Sequence, residues 1–374
     1  MNTILHVTAP AELLGAVPAL AGYTPRDSLV LLPFREGRAH GALRIDLPEA
    51  DSPPPAFADA ALGALLQTPE CEAFAIVVYT EAHAIETPDG TILPQVAMID
   101  ALLSGAARAG TRVVEALCVT AGGWADYLCG DPVLHPLEQI PRPPEGLSPA
   151  GDQRDGAALP PADLAERERV ARTIRDLDVA QERIGDGTPF PAWDEDSQAL
   201  AATVMLDDVP AFAEEILIHE GRLPVFACAA LLWCLHRPAL RDAMLVQWAG
   251  DRSTGAEALA EQRAFLGGGA EGSSHIGDVF IGRAGRPDPT RLLRALDVVR
   301  AAAACAPRTV RPGALASAAW LAWALGRSTH AAEYLRMARE IDPDHNLTEL
   351  LQTVLDAAVL PHWVLNRVAP VCST

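Results

Sequence analysis

Two stretches decide the fold: Glu72–Tyr79, which reads EAFAIVVY, and Thr111–Thr120, which reads TRVVEALCVT. Each is a short apolar run rich in β-branched residues, the pattern of a strand buried on both faces. Between them, Gln95–Ala109 carries a helical pattern that stops at Gly110. Strand, helix and strand in that order make a crossover, so the two strands are expected to lie parallel.

Upstream, Thr8 can cap a helix over Pro10–Ala21, and Gly22 ends it. Ser28–Phe34 and Ala39–Leu47 read as a hairpin around Glu36-Gly37-Arg38, and Ala56–Gln67 as a helix with one apolar face. Residues 1–135 are therefore expected to form an α/β domain whose mixed sheet combines an antiparallel hairpin with a parallel βαβ unit. From 136 to 161 prolines and glycines erase any periodicity, which marks a linker.

Residues 162–374 read as an all-α domain. Helices are expected at Ala162–Gly185, Gln198–Leu206, Val209–Glu220, Pro224–His236, Ala239–Trp248, Pro289–Ala304, Ala314–Leu325, His330–Glu340 and Leu347–Ala358. The glycine-rich stretch Gly267–Gly285 reads as a flexible connection. Gly326, Ala331, Leu335, Ala338 and Pro343 follow the spacing of the second half of a tetratricopeptide repeat, so a tetratricopeptide-like helical hairpin is expected there, with Gly326 and Ala331 where its helices meet.

Composition narrows the function. The formal net charge is −20, which opposes contact with a phosphate backbone and argues against nucleic acid as a partner. All 29 basic residues are arginine. Without lysine the chain cannot build a Walker-type P-loop, a Schiff base or a kinase active site in the usual form. The apolar runs Val225–Leu235 and Ala314–Leu325 fall short of the roughly 20 residues of a membrane helix. Met1–Val7 has no basic residue and no apolar core follows it, so no export signal is expected. The seven cysteines are scattered and form no CxxC pair, which suits reduced thiols in a cytoplasmic protein.

Several strings occur together: Gly22-Tyr23-Thr24-Pro25-Arg26-Asp27-Ser28-Leu29-Val30, Leu43-Arg44-Ile45-Asp46-Leu47-Pro48, Trp124-Ala125-Asp126-Tyr127-Leu128-Cys129-Gly130-Asp131-Pro132, Arg241-Asp242-Ala243, and Ala319-Trp320-Leu321-Ala322-Trp323 with Gly326. With these the chain resembles an actinobacterial domain-of-unknown-function family, number 4192, over nearly its whole length. The resemblance implies no activity, substrate or catalytic residue. Where members of that family often have a Cys-Cys-Pro step, this chain has Leu134-His135-Pro136, so only Cys129 and His135 remain for any metal or disulfide role the family pattern would imply.

Open α/β sheets bind ligands beyond the carboxyl ends of their parallel strands. A ligand site is therefore expected in the crevice between the loops Thr80–Pro94 and Ala121–Pro136. It would draw on Glu81, His83, Asp89, Trp124, Asp126, Tyr127, Asp131 and His135, with Trp124 as a wall and the carboxylates and imidazoles as polar anchors. The competing reading is a plain packed edge with hydrophilic loops. Arg26-Asp27 and Arg44/Asp46 flank the hairpin and read as ion pairs fixing strand ends. Cys228, Cys234 and His236 point to different sides of one helix and are read as core. No catalytic motif, metal-ligand spacing or cofactor fingerprint is present. The leading expectation is a non-catalytic binding or adaptor protein whose helical domain meets another protein, without cofactor, metal, nucleic acid or membrane. The alternative is an enzyme or small-molecule sensor with its site at the crevice.

Overall fold

The computed structural model describes residues 9–21, 23–39, 41–48, 53–66, 71–88, 90–142, 151, 155–187, 197–266, 274–357 and 359–365. The chain divides into two compact units, Met1–Gly156 with Ala357–Val359, and Ala157–Asp356 with Leu360–Thr374.

The first unit begins with α1 (Pro10–Ala21), β1 (Ser28–Arg35), β2 (Arg38–Ala39) and β3 (Leu43–Asp46). Then come α2 (Pro54–Leu66), β4 (Ala73–Tyr79), a small hairpin of β5 (Ile85–Thr87) and β6 (Gly90–Ile92), α3 (Val96–Ala109), β7 (Arg112–Thr120) and β8 (Gly123–Asp126). The main sheet runs β2-β1-β4-β7-β8, with β3 also on β1. β4 and β7 are parallel, as their apolar runs and the intervening helix require, with Val77 opposite Leu117. β1 is antiparallel to β4, with Ser28 opposite Tyr79 and Phe34 opposite Ala73.

Alternation along the strands supplies two cores. Leu29, Leu31, Phe74, Ile76 and Val78 face α2 and α3, where Leu62, Met98 and Leu102 meet them. Val30, Leu32, Ala75, Val77 and Leu117 face the other way, against Leu13, Leu14 and Val17 of α1. All seven residues of β4 are buried, which accounts for its uninterrupted apolar sequence. Of the Pro/Gly-rich stretch 136–161, Leu137–Gln139 forms one 3-10 turn. Ile140 packs on the α1 face, and Ala157 is buried in the core of the second unit.

The second unit is helical: α4 (Leu164–Gly185), α5 (Gln198–Met205), α6 (Val209–Ile218), α7 (Val225–Leu235), α8 (Pro238–Ala249) and α9 (Arg252–Leu266). It continues with α10 (Ser274–Phe280), α11 (Pro289–Cys305), α12 (Arg311–Ala324), α13 (Ser328–Arg339), α14 (Asn346–Asp356) and α15 (His362–Leu365). Side-chain caps set several starts. Asp163, Ser197, Asp208 and Asp288 each accept a hydrogen bond from a first-turn N–H, and Pro210 and Pro289 sit where a helix needs no donor. α12 lies at the centre, with Pro312 through Ala324 all buried.

Two expectations are corrected here. The stretch Gly267–Gly285 is not a connection throughout, because Ser274–Phe280 forms α10 and Val279 is 6% exposed in the core. Burial of its apolar residues outweighs the helix cost of Gly277. Gly326 does not mark the meeting of α12 and α13. It follows α12 with a φ of 77°, and a Cβ there would lie 2.7 Å from the Val364 side chain. Its value is the turn it permits. Ala331, Tyr334, Leu335 and Ala338 form the buried face of α13.

One polar knot ties helices of this unit together. Arg291 on α11 holds the Glu214 carboxylate of α6 through Nη1 at 2.7 Å and also through Nη2. Gln247 Nε2 on α8 donates to the same carboxylate at 2.6 Å. The Arg291 hydrogen bond is the main reason the Glu214 carboxyl sits below its ordinary 4.5. Its folded value is lower than its unfolded one, so the stabilisation is present above about pH 4.5 and disappears as the pH falls through the folded value. The melting temperature of the native protein should therefore drop more steeply below pH 4.5 than that of Glu214→Gln. At pH 7 that variant should be weaker by about 1–3 kcal/mol. Parallel acid limbs in the two melting curves would refute this role.

Candidate functional site

The carboxyl ends of β4 and β7 rise on one edge of the sheet. Because β1 runs antiparallel to β4, the residues just before β1 arrive at that same edge. Thr24–Asp27 thus meets Thr80, Glu81 and Thr120, and between them opens a cleft of about 610 Å³. Leu14 and Pro18 of α1, Tyr79, Val119 and Ile140 supply its apolar surface, and Arg142 stands at its border.

The polar lining is held in place by its own bonds. Arg26 Nη2 pairs with Glu81 Oε1 at 2.9 Å. The Glu81 backbone N–H donates to Asp27 Oδ1 at 3.3 Å. Asp27 has a φ of 42°, a left-handed conformation that aspartate tolerates better than most residues. The Thr80 hydroxyl accepts from Ala82 N at 3.1 Å, and the Thr120 hydroxyl donates to Gly123 O at 2.9 Å. Just behind this rim, Arg44 Nε donates to the buried Ser28 hydroxyl at 2.7 Å while its Nη2 pairs with Asp46. Arg44 and Asp46 are thus the expected ion pair, whereas Arg26 finds Glu81. Burial pushes the Tyr79 phenol well above its ordinary range, so it stays protonated at the cleft floor.

The residues anticipated from sequence are placed at several positions. Glu81 lines the cleft. His83 is exposed on the following loop, and Asp89 lies outside the described residues. Trp124 is 7% exposed and packs in the core facing α1. Its ring stacks on His135 at 4.5 Å between centroids, and the two exchange main-chain hydrogen bonds of 2.9 and 2.8 Å. Tyr127 packs against the other core, and its hydroxyl donates to Pro94 O at 2.5 Å. Asp126 Oδ1 accepts from Leu128 N at 2.8 Å. Asp131 approaches Gly90 of β6, where a Cβ would lie 3.1 Å from Asp131 Oδ1. The two loops therefore touch, through Tyr127 with Pro94 and Asp131 with Gly90, while the open cleft lies toward α1.

The reason is β8. The chain reverses at Ala121-Gly122, and Gly123–Asp126 pairs back along β7, with Asp126 opposite Leu117. Everything after the turn travels away from the carboxyl edge. Sequence reasoning placed residues 121–136 in one loop and so missed Thr24, Thr120, Ile140 and Arg142. For Thr24 the signal was topological: a strand antiparallel to β4 brings its own start to the site. Among the described residues, no three His, Cys, Asp or Glu side chains gather so as to hold a metal ion. No helix among them is long and apolar enough to cross a membrane.

The model of a family described as a domain of unknown function, DUF4192, matches residues 10–262 and 275–362. The chain belongs to this family. Comparison with curated proteins and with solved structures gives no match. The DUF4192 match takes in both the cleft-lining segment Thr24–Asp27 and the helices around α12.

Proposed function

We propose that this DUF4192 protein binds a small molecule in the cleft at the carboxyl ends of β4 and β7, and that it works as a binding protein and not as a catalyst. The observation that carries the reading is the cleft itself. At about 610 Å³ it has the size of a small-molecule site, with apolar residues and a few polar groups in its lining. It also sits at the edge where open α/β sheets take ligands. The apolar part of the ligand would lie on Leu14, Pro18, Val119 and Ile140, and its polar end would meet Arg26, Asp27 and Glu81. The preference for binding over catalysis rests on how those groups are engaged. Arg26 and Glu81 hold each other, and the threonine hydroxyls brace the turns. A partner-protein role for the helical unit would use the groove between α8, α9 and α10, where Phe265 and Ile281 are 61% and 45% exposed.

The test is a thermal-shift screen of a small-molecule library on native protein and on Ala121→Trp. Ala121 is an exposed turn residue that lines the cleft, so a tryptophan there obstructs the cleft without entering the core. A ligand at 100 times its Kd should add about 2.7 kcal/mol to native stability. The variant should melt normally and lose that increment. Ligands that stabilise both proteins equally would exclude the cleft as their site.

A further inference from the structure

The corner between α11 and α13 carries buried donors without an acceptor. Arg300 Nε on α11 and the Tyr334 hydroxyl on α13 are both buried and have no hydrogen-bond partner among the described residues. Tyr334 is 0% exposed. A buried donor without an acceptor is costly, so this pair calls for one. The Tyr334 hydroxyl feels both Arg300 and Arg327, and His330 feels the same two guanidinium groups. Arg300 is held in place by Nη2 donating to Ala158 O at 2.6 Å. Arg327 is exposed at the N-cap of α13, and it provides no side-chain cap for the first turn of that helix. His330 lies one turn before Tyr334 on the same face and is 8% exposed. Burial and the two arginines hold its pKa down to about 4, so it is neutral at pH 7. Among the described residues the carboxylate that faces the group is Asp297, 3.8 Å from Arg300 Nη1, with 66% of its side chain exposed.

We propose that this corner is an oxyanion-binding site, in which Arg300, Arg327 and the Tyr334 hydroxyl close on a phosphoryl or carboxylate group. An anion that reaches both Arg300 Nε and the Tyr334 hydroxyl would satisfy both. Two guanidinium groups favour a charged acceptor over water. Asp297, mostly in solvent, is free to swing away from Arg300 when the anion enters. The site lies in the helical unit and is independent of the cleft in the first unit.

The experiment is a pH titration of the histidine ring signals by NMR, with and without inorganic phosphate, sulfate or acetate. The His330 signal is identified by its loss in His330→Asn. With an anion bound nearby, the His330 midpoint should rise by about one pH unit or more from its low starting value. Isothermal titration should show saturable binding, weakened at least about tenfold in Arg327→Gln and by about tenfold in Tyr334→Phe. Arg327 is exposed, so its variant tests the site without disturbing the core. A response to phosphate and sulfate alone identifies a phosphoryl group as the natural ligand, and an equal response to acetate identifies a carboxylate. A His330 midpoint that none of the anions moves would overturn the proposal. So would binding that survives unchanged in both variants.

Discussion

Trp320→Ala should destabilise the helical unit by about 3–5 kcal/mol, the range for deleting a large aromatic side chain from a packed core. Trp320 is 0% exposed in the middle of α12, stacks on Phe280 at 5.6 Å between centroids, and lies 6.4 Å from Trp323. Its Nε1 donates to Phe280 O at 2.9 Å, which ties α10 to α12. The loss therefore combines a cavity with an unsatisfied carbonyl. For a unit of this size the melting temperature should fall by roughly 6–20 °C. Trp320→Phe keeps most of the volume and should lose only about 1–3 kcal/mol, chiefly the hydrogen bond. Equal losses in the two variants would show that the indole N–H, and not the packing, carries the effect.

Gly313→Ala should also destabilise, although alanine is the better helix former by about 1 kcal/mol. A Cβ at position 313 would lie 2.3 Å from Leu235 O, 3.0 Å from Leu235 C and 3.1 Å from His236 Cα. All three are backbone atoms at the end of α7, so no side chain can rotate aside. α7 and α12 must separate, and overpacking of that kind costs about 1–3 kcal/mol, enough to reverse the propensity gain. Gly277→Ala is the matched comparison. Nothing lies within 4 Å of a Cβ there, so it should be neutral or stabilising by up to about 1 kcal/mol. Thermal melts of the two alanine variants should move in opposite directions. A Gly313→Ala variant as stable as the native protein would mean that α7 and α12 do not approach this closely.

The elements that sequence reading recovers are those whose pattern is local. EAFAIVVY announces a strand buried on both faces, and the helix between it and TRVVEALCVT forces the pair parallel. The helices after Asp163, Ser197, Asp208 and Asp288 start where a capping side chain precedes an apolar stripe. α9 and α10 escaped notice for the opposite reason: RSTGAEALAEQRAFL has a weak apolar stripe, and SHIGDVF is short and follows a run of glycines.

The candidate site was legible only to the level of an edge. Tyr79 and Thr120 end their strands side by side, as the crossover demands, so the carboxyl edge could be located. Which side chains gather there depends on pairings distant in sequence. β1 beside β4 brings in Arg26 and Asp27. The four residues of β8, too few to read as a strand, carry Asp126 and Tyr127 away from it. Trp124 looked like a pocket wall because an aromatic in a supposed loop suggests a ligand, but as a strand residue it packs on the sheet and against His135.

The most direct measurement of the central claim is a crystallographic soak of the native protein with a library of small fragments. Bound density is expected between Arg26, Thr80, Ala121 and Ile140, with an apolar group on Leu14 and Val119 and a polar group toward Arg26 and Glu81. Fragments that occupy other surfaces of the same crystals while an accessible cleft stays empty would contradict the account.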